Sequence, residues 1–219
     1  VGPCATFNPE PLADIVDAFV IGDAEEIIPV LVNAIERTRG KPRDDALAAL
    51  STVPGVYVPK FYEVEYGDAG EIAHVTNIAP APERVRRAVT CDLTSHPANS
   101  LIRAEEAEFG DITLIEVARG CGRKCRFCLA GHITRPPREH STDLSTSDAR
   151  FGLVVAAVFD HPEAVNMCRA IVDSGGQFNV SSVRLETITP EIARLMATGG
   201  QKTLTIAPEA GSERLRKVI

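Results

Sequence analysis

The stretch RGCGRKCRFCLAGH, residues 119–132, sets Cys121, Cys125 and Cys128 in C-x3-C-x2-C spacing among glycine, arginine and lysine. Thiolate sulfur is a soft ligand that suits zinc and iron–sulfur clusters. A disulfide consumes two cysteines, and a closed zinc site takes four ligands. A 4Fe–4S cube held by three cysteines instead leaves one iron open to a small molecule. Cys4, Cys91 and Cys168 are scattered singles, and no second C-x2-C knuckle exists. His132 and His140 are the residues that could complete a Cys3His zinc site, so at this point an open cluster and a closed zinc site both stand. Pro136 and Pro137 favour extended backbone ahead of His140, directed away from a tight turn back to the cysteines. Arg123, Lys124, Arg126, Arg135 and Arg138 make the surroundings basic, which suits a phosphate or carboxylate as well as it suits a solvated face.

The elements around this loop read as strands and helices in alternation. ITLIEVARG (112–120) is a buried strand that ends at the cysteines, GLVVAAVFD (152–160) a second, FNVSSVRLE (178–186) a third and KTLTIAPEAGSE (202–213) a fourth. HPEAVNMCRAIVDSGG forms a helix with a glycine stop, TPEIARLMATGG a helix opened by Thr189 and Pro190, and SERLRKVI the start of another. Repeated βα units imply a parallel sheet, whose chemistry gathers at the C-terminal ends of the strands. Upstream, Ala18–Ile21 is a short strand, Gly22-Asp23 a turn, and Ile27, Ile28, Leu31 and Ile35 recur at helical spacing up to Gly40 and Pro42. A second helix spans about Asp44–Leu50, and PGVYVPKFYEVEY pairs as an extended strand or hairpin with EIAHVTNI. APAPERVRRAV and TSHPANS are proline-rich connectors that place the domain boundary within residues 75–110.

At 219 residues and 44% hydrophobic content the chain can bury a core. Its net charge of −7 argues against a protein whose main business is gripping a phosphate backbone. The six cysteines show no regular pairing, and neither a signal-peptide core nor a membrane-length apolar run is present, so the expectation is a cytoplasmic protein with free or metal-bound thiols. The first residue is Val1, and both ends interrupt patterned sequence, which reads as a fragment.

Cys121-Gly-Arg-Lys-Cys125-Arg-Phe-Cys128 resembles the signature of the radical S-adenosylmethionine (radical SAM) superfamily, including the aromatic before the last cysteine. EVARGCGRKCRFCLAGHITRPPREHS, VSSVRLETITPE and TLTIAPEAGSERLRKVI are similar to a group of these proteins with an N-terminal cobalamin-binding-like Rossmann domain. NPEPLADIVDAFVIGDAEE looks like the last strand and helix of that domain. The resemblance implies an α/β chain: the end of a Rossmann-like domain (1–74), a linker (75–110), and the first half of a partial TIM-barrel-like radical SAM domain (111–219). It implies that Cys121, Cys125 and Cys128 ligate three irons and that S-adenosylmethionine (SAM) binds the fourth, to be cleaved reductively to methionine and a 5′-deoxyadenosyl radical that acts on a substrate. Phe127 would lie near the cluster and adenine, its bland alternative being a core side chain. Arg184 and Glu209, at the ends of the third and fourth strands, would contact SAM. An electron donor such as a flavodoxin or ferredoxin is implied, the substrate is unknown, and RNA stays open as a partner. The competing function is a non-catalytic zinc- or cluster-stabilised module for binding or electron transfer.

Departures from the family pattern are specific. No Gly-Gly-Glu-like turn follows the second strand, so backbone carbonyls around Ala156 and Ala157 would hold SAM's amino group. STDLSTSDAR (141–150) stands where a first barrel helix belongs, and a parallel crossover needs roughly a dozen residues or more. No D-x-H-x-x-G word offers cobalamin a histidine, which leaves cobalamin an open second cofactor. Gly22 to Glu26 resembles a cofactor-facing loop, although acidic residues in a first turn also complement a helix dipole. Cys168 reads as a buried small hydrophobe, and His74, His96 and His161 sit in proline-rich or capping contexts with no functional reading.

Overall fold

The computed structural model describes residues 7–100, 102, 104, 106–140 and 149–219. The chain divides into two compact units, Val1–Cys91 and Asp92–Ile219. Among the described residues no helix is long and apolar enough to cross a membrane.

In the first unit, β1 (Phe19–Val20) pairs antiparallel with β2 (Val56–Tyr57), and α1 (Ile27–Arg37) and α2 (Arg43–Ser51) lie between them in sequence. Gly22 turns the chain out of β1 with φ of +114°, a conformation that disfavours any side chain. Its Cβ position would also lie 2.1 Å from the Ala88 carbonyl oxygen. Ile27, Leu47, Val53, Val56 and Val58 form the core. Ile28 and Ile35, which share the helical repeat with Ile27, stay exposed. Beyond this layer β3 (Tyr62–Tyr66) and β4 (Ile72–Asn77) make an antiparallel hairpin, Tyr62 opposite Asn77 and Val64 opposite Val75. The hairpin expected from the alternation is therefore present, whereas Val56–Tyr57 is a separate strand that returns to β1.

The second unit is mixed α/β around a parallel sheet in the order β5 (Thr113–Glu116), β8 (Arg150–Val154), β9 (Gln177–Val180). Thr113 lies opposite Phe151, and Phe151 opposite Phe178. The connection from β8 to β9 runs through α4 (Ala164–Asp173), and α5 (Pro190–Thr198) follows β9. The Thr189 hydroxyl caps α5 by accepting the Ile192 N–H at 3.2 Å. Ile115, Val117, Phe151, Leu153, Cys168, Ile171, Phe178 and Met196 belong to one buried cluster. Between β5 and β8, β6 (Ala118–Arg119) pairs antiparallel with β7 (Arg138–Glu139), and the cysteine loop with its single helical turn α3 (Ala130–Ile133) is the excursion between them.

Several expected elements are corrected. The second strand ends at Val154, and Val158–Asp160 is a 3-10 turn. The third ends at Val180, and Leu185–Thr187 is another 3-10 turn, with Arg184 as its N-cap. The fourth strand does not form: residues 201–210 have no strand pairing. The physical reason lies in Gln201, whose side-chain oxygen accepts the Val180 N–H at 3.1 Å while its amide donates to the Val180 carbonyl at 3.3 Å. These are the ladder groups a neighbouring strand would use, and only Val183 N–H to the Thr205 carbonyl, at 3.4 Å, continues the contact. The helix after this segment, α6 (Glu213–Val218), is present and capped by Ser212. Of the stretch 141–150, where the first barrel helix is expected to be very short or missing, residues 141–148 lie outside the described residues.

Candidate metal and ligand site

The cysteine loop leaves β6 through Gly120, whose φ is +93°. A Cβ there would stand 2.3 Å from the Thr134 carbonyl oxygen, so the backbones at the two ends of the loop approach as only glycine permits. The base is held by a polar network that sequence reasoning missed. Arg119 donates to both Glu116 oxygens, from Nε at 2.8 Å and from Nη2 at 2.7 Å. The His140 Nε2 lies 3.2 Å from the same carboxylate, and the His140 N–H donates to the Val117 carbonyl at 3.0 Å. Burial pushes the Glu116 carboxyl up, but the hydrogen bonds and charges of Arg119 and His140 outweigh it and hold it below its usual range. Glu, Arg and His at 116, 119 and 140 carry no periodic signal, and only the β6–β7 pairing brings His140 to Glu116.

Cys121, Cys125 and Cys128 are free and half-buried, and the Arg123 N–H donates to Cys121 Sγ at 3.4 Å. Three soft thiols on one loop, with no carboxylate between them in sequence, fit an iron–sulfur cluster in kind. Among the described residues no group of three His, Cys, Asp or Glu side chains stands ready to hold a metal. Convergence of the thiols would accompany metal binding, as it does where sites form with their metal. His140 is buried against Glu116, and His132 Nε2 lies 3.1 Å from the Cys125 carbonyl. The proline-bearing segment is extended, as expected, but it runs back along the strand before the cysteines and not away from them.

Asp160, at the end of the 3-10 turn after β8, joins two further parts of the site. It accepts from Arg123 Nε at 2.9 Å and Nη2 at 2.8 Å, and from Arg184 Nη1 at 3.4 Å. The Arg123 hydrogen bond is the main reason its carboxyl lies below the usual range, against a smaller opposing effect of burial. Arg184 also reaches Glu186 at 3.2 Å. Arg184 is therefore linked to the cysteine loop through Asp160, from a turn and not a strand end.

The other expected site residues are placed differently. Phe127 is 59% exposed, so it is not a core side chain. Ala156 and Ala157 lie after β8, and the Ala157 carbonyl already accepts the Asp160 N–H at 3.1 Å. Glu209 stands exposed at the centre of a tight turn in which Ala210 N–H donates to the Pro208 carbonyl at 2.7 Å. Its φ of +64° is a strained value for a residue with a side chain. Lys124 and Arg126 are exposed, whereas Arg138 is buried, so the basic residues do not form one solvated face. Cys168 is fully buried in the core, which pushes its thiol up to about 12. A cleft of about 260 Å³ opens beside the loop, lined by Cys121, Arg123, Glu139, Ala157, Asp160 and His161 among others.

Residues 1–59 match the family described as "Radical SAM proteins, N-terminal", which supports membership of the radical SAM superfamily. The chain is 32% identical over 228 aligned residues to an uncharacterized protein of Methanocaldococcus jannaschii, covering 100% of this chain and 44% of that relative. The chain thus spans less than half the length of the relative it matches.

Proposed function

We propose that the chain is part of a radical SAM enzyme in which Cys121, Cys125 and Cys128 ligate three irons of a 4Fe–4S cluster and SAM takes the open position. One observation carries the reading: the C-x3-C-x2-C loop follows the first strand of a parallel sheet, and Val155, Ala157 and Asp160, which come just after β8, line the same cleft as Cys121. When bound, the cluster and SAM supply the reductive cleavage that yields a 5′-deoxyadenosyl radical. The chain's own residues hold and shape. Gly120 lets the loop leave β6, the Glu116–Arg119–His140 network fixes its base, and Asp160, on the cleft wall, ties Arg123 to Arg184. Phe127, exposed beside Cys128, is free to stack on an adenine. Arg184 and Glu209 are the proposed SAM contacts, and Ala156 contributes backbone to the amino-group site, with Ala157 partly committed to its own turn.

In this reading residues 111–219 are the first half of a partial TIM-barrel-like domain, and 1–74 the end of a Rossmann-like domain, joined by 75–110. Cobalamin stays an open second cofactor, a flavodoxin or ferredoxin the kind of electron donor, and the cytoplasm the compartment. The zinc module is less well supported, because His140 would have to leave its buried place on Glu116 to reach the thiols. Anaerobic reconstitution with iron and sulfide tests the proposal. A cluster absorbance band and an EPR signal that changes on adding SAM are expected, whereas stoichiometric zinc and a spectrum indifferent to SAM would refute it.

A further inference from the structure

His161 closes the 3-10 turn after β8, and its surroundings fix it on three sides. Its N–H donates to the Val158 carbonyl at 3.1 Å, and its own carbonyl accepts the Ala164 N–H at 3.1 Å. Its ring Nδ1 accepts the Glu163 N–H at 3.0 Å. An Nδ1 that accepts carries no proton, so the ring proton sits on Nε2. The residue is 9% exposed and lines the cleft that also holds Cys121. Among the described residues no group accepts from Nε2, although that atom is buried. The cleft's two carboxylates do not take it: Asp160 is occupied by Arg123 and Arg184, and Glu139 makes no bond to it. A buried donor without an acceptor is costly, so a preorganised one beside the cysteine loop calls for an occupant of the cleft.

We infer that His161 is a binding residue for the small molecule seated against the cysteine loop, donating from Nε2 to a carboxylate. The inference rests on the radical SAM reading. The cleft, at about 260 Å³, holds one end of such a ligand, and Cys121 on its wall selects the end nearest the metal. In SAM that end carries an ammonium and a carboxylate. An ammonium only donates, and so does Nε2–H, which leaves the carboxylate as the partner. His161 would in this way compensate for the absent Gly-Gly-Glu-like turn by fixing the amino-acid end from its other group.

The test uses the anaerobically reconstituted protein and two variants, His161→Phe, which removes the donor, and His161→Gln, which keeps one. Iron per chain and SAM affinity by equilibrium dialysis are read separately, with decarboxylated SAM as the second ligand. Iron content should be unchanged in both variants. SAM affinity should fall about tenfold or more in His161→Phe and by less in His161→Gln, while decarboxylated SAM binds wild type and variants alike. Equal SAM affinity in wild type and His161→Phe would overturn the assignment, as would an equal loss with the decarboxylated ligand or a loss of iron in both variants. Wild-type protein that takes up no cluster, or whose cluster ignores SAM, overturns the radical SAM reading and this inference together, and that failure is recognised because it needs no variant.

Discussion

Arg123 of the cysteine loop and Asp160 of the turn after β8 are 37 residues apart in sequence and share two hydrogen bonds, at 2.9 and 2.8 Å. Both nitrogens of one guanidinium edge meet both oxygens of one carboxylate, a geometry that fixes direction as well as distance. Arg123 is about half exposed at its side chain, 49%, so solvent screens the pair and its stabilising contribution is about 1 kcal/mol or less. Asp160→Asn should lower stability by that amount and leave the loop open to proteolysis at Lys124 or Arg126, with the sheet itself intact by circular dichroism.

The same pair sets an acid limit. The Asp160 carboxyl is depressed in the folded protein, so its contribution is fully present above the ordinary carboxylate range and is lost as pH falls through the lowered folded value. Wild-type and Asp160→Asn stabilities measured by urea unfolding should differ above about pH 4 and converge at lower pH. A constant difference across the titration would show that the loss comes from packing and not from the charge.

Glu116 is the acceptor on which the loop base depends, with side chains of Glu116, Arg119 and His140 only 19%, 20% and 3% exposed. Removing the carboxylate takes two charge-assisted hydrogen bonds from Arg119 at a poorly solvated place. Glu116→Ala should cost about 2–3 kcal/mol and Glu116→Gln less, since an amide oxygen still accepts one bond. Equal effects of the two variants would mean that the charge contributes nothing.

Gly120 and Gly122 flank Cys121 but face different surroundings. Gly120→Ala meets both a positive φ and a backbone oxygen at 2.3 Å, and should cost about 3 kcal/mol or more with loss of iron uptake. Gly122→Ala meets only the Pro137 side chain, at 3.5 Å, and should be close to neutral. Thermal unfolding and iron content of the two variants make the comparison.

Metal-ligand assignments separate by residue. Cys125→Ser should abolish iron binding, and Cys168→Ser should retain it while losing about 1–2 kcal/mol, because a hydroxyl replaces a fully buried thiol in the core. Replacing His132 and His140 together by Ala should leave iron content unchanged, with His140 accounting for any lost stability. Zinc bound in purified protein and released by either histidine replacement would favour the structural module.

Strain marks Glu209. At φ of +64° a glycine is the relaxed residue, so Glu209→Gly should stabilise the chain by up to about 1 kcal/mol. If the carboxylate contacts SAM, the same variant should bind SAM more weakly, and a stabilised protein with unchanged SAM affinity would remove Glu209 from the site.

Local chemistry was legible in the sequence where one residue decides one feature. The cysteine spacing marked the loop, Thr189-Pro190 opened α5, Gly40 ended the first helical region, and the apolar alternation gave the hairpin 62–77 and the parallel βα order. Cys168 read as buried from its helix neighbours, and the core agrees. What the tertiary structure alone decided concerns groups that meet only after the chain has turned. Strand ends depend on which backbone groups find a partner: Gln201 occupies the Val180 ladder groups, so an apolar run with good strand propensity does not pair. Asp160 read as the end of the second strand and His161 as a residue in a capping context, because neither the arginines on one nor the unanswered Nε2 of the other is visible without the fold. Glu116, Arg119 and His140 became a network only through the antiparallel return of β7. Periodicity and caps are properties of a few neighbouring residues, whereas charge pairing and hydrogen-bond satisfaction depend on contacts between residues tens of positions apart.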